Sequence, residues 1–350
     1  MKILITGNMG YIGPGLVNKL RQSYPDAELI GYDTGYFAKC LTNVDYLPEI
    51  RLHKQLFGDV RNFQESMFEG IDAVVYLAAI SNDPMGSKYE EVTMDVNYRS
   101  AIKMAESAKK HGVKSFVFPS SCSVYGLAGD YPKVEADELN PLTAYAKSKA
   151  EAENGLNALA SEDFVVTCFR FGTACGNSQR LRLDLVLNDF VAGSVISKEI
   201  SILGDGTPWR PLIHILDMAR AIDFGISRDV SNGGNFLVVN TGSSVWNYQI
   251  IDLAQAVADV VPGVKVSVNP NAQPDKRSYK VVFDLFEKVA PNHQPIIDLK
   301  TTVKDLYANL TEMNFNDHNY RKSQFIRLEV LNSLQNKGYL NESLIWNSQN

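Results

Sequence analysis

The sequence predicts an α/β protein whose core is a doubly wound parallel sheet, joined to a smaller second lobe. Short runs rich in β-branched and aromatic residues recur along the chain, at residues 3–5, 28–32, 73–77, 115–118, 164–169 and 236–239. Helical stretches lie between them, such as residues 95–110 and 144–159. Strands that are apolar throughout and alternate with helices are typical of a parallel sheet covered on both faces.

The alternation of strands and helices changes after residue 170. An arginine-containing stretch precedes a predicted helix over residues 183–195, and a Gly/Pro segment follows at residues 204–211. We therefore predict a main domain and a smaller lobe made of discontinuous pieces. The expected boundaries are 1–170 plus about 211–245 for the main domain, 171–210 plus about 246–310 for the lobe, and 311–350 for a C-terminal extension.

The C-terminal extension is polar and contains one predicted helix, over residues 325–337, which ends at Gly338. The sequence leaves two interpretations open. The extension either packs across the body of the protein or joins a contact between subunits.

Composition and charge exclude several classes of function. With 45% hydrophobic and 21% charged residues the chain is globular, and a net charge of −6 offers no basic surface to nucleic acid or an acidic membrane. No apolar run is long enough to span a bilayer, and the chain starts directly with a strand, so we expect no signal peptide. The cysteines show no CxxC spacing. We therefore expect free thiols in the cytoplasm, with neither disulfides nor a metal site, at Cys40, Cys122, Cys168 and Cys175.

A glycine-rich turn, residues 6–13, follows the first strand and opens a helix. Glycines allow the backbone to approach a pyrophosphate, and the free N–H groups at the helix start attract its charge. The spacing is G-x-x-G-x-x-G instead of G-x-G-x-x-G, so the turn by itself could be purely structural. The candidate dinucleotide contacts in it are Gly7, Gly10, Tyr11, Ile12 and Gly13.

Two acidic residues support a dinucleotide site. Asp33 ends the second strand, where a carboxylate accepts hydrogen bonds from the adenosine ribose hydroxyls. Because a carboxylate repels a 2′-phosphate, the sequence predicts NAD and not NADP as the cofactor. Asp59 and Val60 follow the third strand, and Asp59 is expected beside the adenine amine, with a plain turn or N-cap role as the alternative.

The candidate catalytic residues are Ser121, Tyr145 and Lys149. Tyr145 and Lys149 are four residues apart, so they share one face of a predicted helix. An ammonium and a positive nicotinamide both favour the phenolate, so we expect a lowered tyrosine pKa and proton removal from an alcohol. Ser121 follows another predicted strand, at the sheet edge where α/β proteins bind ligands, and can hydrogen-bond the reacting oxygen.

In these residues the chain resembles the extended short-chain dehydrogenase/reductases, in the group of NAD-dependent nucleotide-sugar epimerases and dehydratases that includes UDP-galactose 4-epimerase. The resemblance covers about residues 1–308. It implies a Rossmann-type NAD-binding domain, a nucleotide-sugar-binding lobe, and catalytic roles for Ser121, Tyr145 and Lys149. It also implies that the cofactor groove is lined by Leu77, Ala78, Ala79 and Asn97.

Residues 178–190 and 275–279 resemble a subgroup that includes GDP-heptose 4-dehydrogenases and proteins of polysaccharide biosynthesis. The resemblance places three arginines at the substrate pyrophosphate, which guanidinium forks suit, although each could instead form a surface ion pair. Thr173 stands where relatives have an asparagine. The expected substrate contacts are Ser81, Ser123, Thr173, Arg182, Arg210 and Arg277. The resemblance further implies a homodimer or a higher homo-oligomer, formed through residues 95–110 and 144–159.

The expected reaction is oxidation and reduction at C4 of a nucleotide-diphosphate sugar, with 4-epimerisation favoured. The same residues would serve a 4-dehydrogenase or a 4-ketoreductase, and a non-catalytic NAD-binding regulator is the remaining alternative. A 4,6-dehydratase is disfavoured, because dehydratases of this group carry threonine, aspartate and glutamate where this chain has Ser121, Cys122 and Ser123. His214 matches a position with a structural role, so we expect it to take no part in catalysis.

Overall fold

The computed structural model describes residues 1–127, 131–269 and 278–347. Its β-strands are, in chain order, β1 (Lys2–Thr6), β2 (Glu28–Asp33), β3 (Lys54–Phe57), β4 (Ala73–Tyr76), β5 (Ser115–Ser121), β6 (Val165–Phe171), β7 (Thr173–Cys175), β8 (Glu199–Leu203), β9 (Trp209–His214), β10 (Phe236–Thr241), β11 (Asn247–Gln249) and β12 (Lys265–Asn269). Its α-helices are α1 (Gly13–Ser23), α2 (Asp83–Lys88), α3 (Glu90–Met94), α4 (Ser100–Lys110), α5 (Ala144–Leu159), α6 (Val186–Ser197), α7 (Ile215–Ser227), α8 (Ile250–Val260), α9 (Asp284–Val289), α10 (Leu299–Glu312) and α11 (Arg327–Asn336).

The central sheet of the described residues has seven strands in the order β10-β6-β5-β4-β1-β2-β3, and every neighbouring pair is parallel. Successive side chains point to opposite faces. Ile3 and Ile5 pack with α1 and α7, whereas Leu4 packs with α4 and α5. Both faces are therefore covered by helices, which confirms the predicted doubly wound α/β fold.

Several predicted elements differ in their bounds. The predicted helix over residues 95–110 begins with a π-helical turn, Asp95–Arg99, before α4. The predicted helix over residues 183–195 is α6, which begins and ends slightly later than the sequence suggested. No helix formed by the described residues combines the length and the apolar character needed to cross a bilayer.

Two small sheets lie outside the central one, in the orders β11-β9-β7 and β12-β8. A separate hydrophobic cluster packs α6, α8 and α10 against β8, and it includes Leu187, Leu253 and Leu306. The start of the C-terminal extension joins this cluster through Tyr320 and Phe325. The division into two domains stays a prediction.

The C-terminal extension packs across the body of the protein, which is one of the two interpretations that the sequence left open. Leu331 of α11, Leu340 and Leu344 are buried in a cluster with Ile80 and Met85. These apolar contacts fasten the extension beside the loop that follows β4.

A buried ion pair fastens β6 to α5. The Arg170 guanidinium donates to the Glu153 carboxylate, with a shortest N–O distance of 2.7 Å, and both side chains are about 5% exposed. The Ser120 hydroxyl of β5 donates to the same carboxylate. Three neighbouring elements are thereby fixed relative to one another.

Breaking this ion pair from one side leaves a buried charge without its partner. We expect Arg170→Met to lower the free energy of unfolding by about 3–5 kcal/mol, measured by urea denaturation. The double variant Arg170→Met/Glu153→Leu removes both charges and should recover most of the loss. A single variant as stable as the wild type would show that the pair does not hold these elements together.

Candidate active site

A cavity of about 990 Å³ opens at the carboxyl ends of the central strands. Residues that directly follow or end β1, β2, β4, β5 and β6 line it, as expected for ligand sites in parallel sheets. Because all these strands run in one direction, their carboxyl ends meet at one edge of the sheet.

The glycine-rich turn forms one wall of the cavity. Gly7 has a φ of +69°, and a Cβ added there would lie 2.5 Å from the Ala78 backbone nitrogen, so the turn needs glycine at this position. Gly10, Tyr11 and Ile12 also line the cavity.

Gly13 does not line the cavity. It lies where α1 leaves the turn, and a Cβ added there would lie 1.7 Å from the carbonyl oxygen of Asn8. Glycine at this position therefore permits close packing of the helix start against the turn.

Asp33 and Asp59 line the same end of the cavity. The Asp33 carboxylate accepts from the backbone N–H groups of Met9 at 3.0 Å and Gly35 at 2.7 Å, and burial raises its pKa against these hydrogen bonds. Asp59 forms an ion pair with Arg61, with a shortest N–O distance of 2.5 Å. A glycine cradle beside two carboxylates fits a dinucleotide with an unphosphorylated ribose.

Asn97 was expected to line the cofactor groove, and the structure places it behind the wall instead. Its side chain is fully buried in the π-helical turn. Its amide pairs with the backbone N–H and C=O of Ile80 and donates to the Ser148 hydroxyl. Asn97 therefore holds the loop after β4 against α5, while Leu77, Ala78 and Ala79 form the wall itself.

Ser121, Tyr145 and Lys149 line the cavity together. Thr143 caps α5, its hydroxyl accepting from the Ala146 N–H at 3.2 Å, and the helix then directs Tyr145 and Lys149 toward the end of β5. Tyr145 is hydrogen-bonded to Ser121. The Lys149 ammonium donates to the Pro119 carbonyl at 2.7 Å.

Burial shifts the two titratable groups of this trio in opposite directions. It raises the pKa of Tyr145 to about 12, although the hydrogen bond with Ser121 opposes the shift. It lowers the pKa of Lys149 to about 7. Among the protein groups around the phenol, desolvation outweighs those that favour the phenolate. The expected lowering of the tyrosine pKa by the ammonium and the positive nicotinamide together stays a prediction.

Most of the predicted substrate contacts also line the cavity. Arg182 donates to the Ser81 hydroxyl at 2.9 Å and forms an ion pair with Asp184 at 2.8 Å. The Ser123 hydroxyl is buried and has no hydrogen-bond partner among the residues that the structure describes. Arg210 and Thr173 line the cavity as well, whereas Arg277 lies outside the described residues.

Several further residues that line the cavity were not predicted from the sequence. Asp184 could have been suspected as the partner of Arg182 two positions before it. Arg321 and Arg327 could not, because they come from the C-terminal extension and no motif marks them. The cavity-lining residues that sequence reasoning missed include Asp83, Asp184, Asp189, Arg321 and Arg327.

Two residues that were assigned no chemistry point away from the trio. The Cys122 thiol is buried and donates to the Arg170 carbonyl. The His214 ring accepts from the Leu216 N–H at 3.1 Å and caps α7, and burial lowers its pKa to about 4.

Comparison with known proteins identifies the family. The model of the NAD dependent epimerase/dehydratase family matches residues 3–242, which is more than half of the chain. The chain belongs to this family. This epimerase/dehydratase-family protein is accordingly an enzyme with NAD as its cofactor.

Individual relatives are more distant. A Bacillus subtilis protein described as the uncharacterized UDP-glucose epimerase YtcB is 29% identical over 234 residues, 63% of this chain and 71% of the relative. UDP-glucose 4-epimerase of Streptococcus mutans is 25% identical over 298 residues, 79% of this chain and 87% of the relative. UDP-glucuronic acid 4-epimerase of Bacillus cereus, solved with UDP-glucuronic acid and NAD, has a TM-score of 0.75 at 21% identity, covering 89% of this chain and 100% of that chain. The last likeness supports the fold alone.

The buried Lys149 makes the stability of this protein depend on pH. Burial lowers the lysine pKa from 10.5 to about 7, so the unfolded chain holds more protons than the folded chain between those values. The contribution of Lys149 to the free energy of unfolding is therefore fully present above pH 10.5 and is lost as the pH falls to about 7.

We expect the difference in free energy of unfolding between the nucleotide-free wild type and Lys149→Met to change in favour of the wild type as the pH rises. The change should be up to about 1.4 kcal/mol per pH unit across this window. Urea denaturation from about pH 7 to pH 9 measures it. Lys147→Met, on the exposed face of α5, is the matched control and should follow the wild type. A difference that stays flat with pH would contradict the assignment.

Proposed function

We propose that the protein is an NAD-dependent nucleotide-sugar 4-epimerase. The observation that carries the proposal is the position of Ser121, Tyr145 and Lys149 in the same cavity as the glycine turn and Asp33. The cavity has the volume for a dinucleotide and a second ligand, and the two hydroxyls and the lysine of the trio suit proton transfer at an alcohol.

Each residue of the trio has a distinct part in the proposed reaction. Tyr145 takes the proton from the C4 hydroxyl of the sugar and later returns one to the C4 oxygen. Ser121, hydrogen-bonded to Tyr145, donates to that oxygen and steadies it. Lys149 holds the nicotinamide ribose. NAD, when bound, would supply the hydride acceptor and donor, so the sugar would be oxidised at C4 and then reduced on its other face.

The pKa values explain why tyrosine chemistry needs a positive charge in the site. Burial raises the pKa of Tyr145 to about 12, so the phenol alone is a poor base near neutral pH. A bound NAD⁺ would supply a positive charge that lowers the pKa of the phenol, so Tyr145 would lose its proton most readily while the oxidised cofactor occupies the site.

The substrate is proposed to lie between the trio and the arginines of the smaller lobe, residues 171–210 and about 246–310. Arg182, Arg210 and Arg277 would hold the diphosphate, and Ser81, Ser123 and Thr173 the sugar. The unpartnered, buried Ser123 hydroxyl is the observation that favours a polar ligand there. We retain the predicted homodimer through α4 and α5 as part of the same proposal.

A dehydratase is the weaker candidate within the family. Elimination of water needs an acid and a base beyond the tyrosine, but the Cys122 thiol points into the protein and donates to the Arg170 carbonyl. Ser123 offers only a neutral hydroxyl, which is a weak acid and a weak base. A 4-dehydrogenase or 4-ketoreductase would use the same trio and differs in whether the keto sugar leaves the site.

We would incubate the enzyme with NAD⁺ and UDP-, dTDP-, GDP- and CDP-sugars in D₂O, and follow the sugar by proton NMR and NADH by absorbance. A 4-epimer without solvent deuterium at C4 and without net NADH is expected, because the hydride returns from the cofactor. A 4-keto sugar that accumulates together with NADH would make the enzyme a dehydrogenase and contradict the epimerase assignment.

Replacing the proposed base tests the mechanism. Tyr145→Phe removes only the phenol oxygen, and we expect kcat to fall by about 10²–10⁴-fold, as measured with the sugar that the wild type converts. Tyr131→Phe, at a side chain that is 86% exposed, is the matched control and should behave as the wild type. Retention of more than a small fraction of turnover in Tyr145→Phe would rule out the phenol as the base.

A further inference from the structure

Residues near the end of the C-terminal extension contact the wall of the cavity that Asp33 and Asp59 line. The Trp346 indole N–H donates to the Thr34 carbonyl at 2.8 Å, and its ring lies 5.7 Å from the ring of Tyr36, centroid to centroid. The Tyr36 hydroxyl donates to the Leu344 carbonyl. Thr34 and Tyr36 both line the cavity.

Arg61 connects Asp59, which also belongs to this wall, to Ser343 and Leu344 of the extension. Its guanidinium donates to the Ser343 carbonyl at 2.7 Å and the Leu344 carbonyl at 3.3 Å. The same guanidinium pairs with the Asp59 carboxylate, which lines the cavity. The position of Asp59 therefore depends on carbonyl groups at the end of the chain.

The segment that makes these contacts is itself firmly attached. Leu340 and Leu344 are buried against the loop after β4, and the Tyr89 hydroxyl donates to the Gln335 side chain at 2.7 Å. An element held by buried apolar contacts can fix the groups that it touches, whereas a loose tail cannot.

The extension also brings a buried positive charge to the cavity. Arg327 is about 1% exposed, lines the cavity, and its guanidinium lies 4.7 Å from the Phe37 ring centroid. Its guanidinium donates to the backbone carbonyls of Arg180 and Gln324, and its backbone N–H donates to the Asp184 carboxylate at 3.3 Å. Because the guanidinium itself is hydrogen-bonded only to neutral carbonyls among the described residues, it adds a positive charge to this end of the cavity.

We propose that residues 327–347, here called the C-terminal clasp, complete the adenosine half of the cofactor site and keep NAD bound between turnovers. The clasp residues are positioning residues: Ser343, Leu344 and Trp346 hold Thr34, Tyr36 and, through Arg61, Asp59. The proposal rests on the placement of adenosine beside Asp33 and Asp59.

Retention of the cofactor would serve the proposed reaction. A 4-epimerase must keep its reduced cofactor until the hydride has returned, because loss of NADH at the keto stage would end the cycle with an oxidised sugar. A clasp that slows NAD release protects this intermediate stage, although it touches neither the sugar nor Tyr145.

The test measures release of NAD, so it can fail independently of the sugar chemistry. Purified holoenzyme is diluted into an excess of an NAD-consuming dehydrogenase with its substrate, and the appearance of its product reports the rate of NAD dissociation. We expect Trp346→Ala, which loses the indole contact and its hydrogen bond, to release NAD about tenfold faster than the wild type. Trp346→Phe keeps a ring against Tyr36 and should lie between them.

Ile345→Ala is the matched control, since the Ile345 side chain is 49% exposed and adjacent to Trp346. It should release NAD as the wild type does, with a similar melting temperature. Equilibrium binding should show a higher Kd for NAD⁺ in Trp346→Ala than in the wild type and in Ile345→Ala. If Trp346 had only a general structural role, its variants would have a lower melting temperature, and their NAD release rates would not follow the order wild type, Trp346→Phe, Trp346→Ala.

Hydrogen exchange gives a second measurement that needs no variant. NAD binding to the wild type should increase amide protection over residues 339–346, although these residues lie behind the wall. Unchanged protection there, or equal release rates in wild type and Trp346→Ala, would overturn the proposal.

Discussion

The single direction of the seven central strands is the constraint on which the site depends. Parallel pairing brings the ends of β1, β2, β4, β5 and β6 to one edge, so residues distant in sequence share one cavity. Close approach at this edge is possible because Gly7 has no Cβ where the Ala78 backbone passes. The Arg170–Glu153 pair then fixes α5 relative to β5 and β6, which sets Tyr145 and Lys149 against Ser121.

Burial at this edge has opposite consequences for the two titratable catalytic candidates. Desolvation disfavours the charged form of each group, so it raises the pKa of Tyr145 and lowers that of Lys149. The protein by itself thus holds the phenol protonated. A cofactor that carries a positive charge in one redox state and none in the other would make Tyr145 a better base with NAD⁺ bound and a better acid with NADH bound.

The C-terminal extension changes how the cofactor end of the cavity is built. The loops after β2 and β3 form the wall at this end of the cavity, and Leu344 and Trp346 contact the loop after β2 from its outer side. Arg327 of the extension lines the cavity itself. An attached wall suits a cofactor that stays with the enzyme.

The sequence by itself determined the fold class, the family resemblance, the cofactor and the catalytic candidates. These features depend on residues that are close together in the sequence. Examples are the apolar strands that alternate with helices, the turn at residues 6–13 and the spacing of Tyr145 and Lys149. Asn97, which the family resemblance placed in the groove, lies behind it, and its amide is hydrogen-bonded to Ile80 and Ser148. Only the tertiary structure decided the shifts in pKa, the partner of Arg182 and the position of the extension. Desolvation and contacts between distant segments arise from packing. The sequence around Arg327 and Trp346 contains no pattern that predicts their contacts.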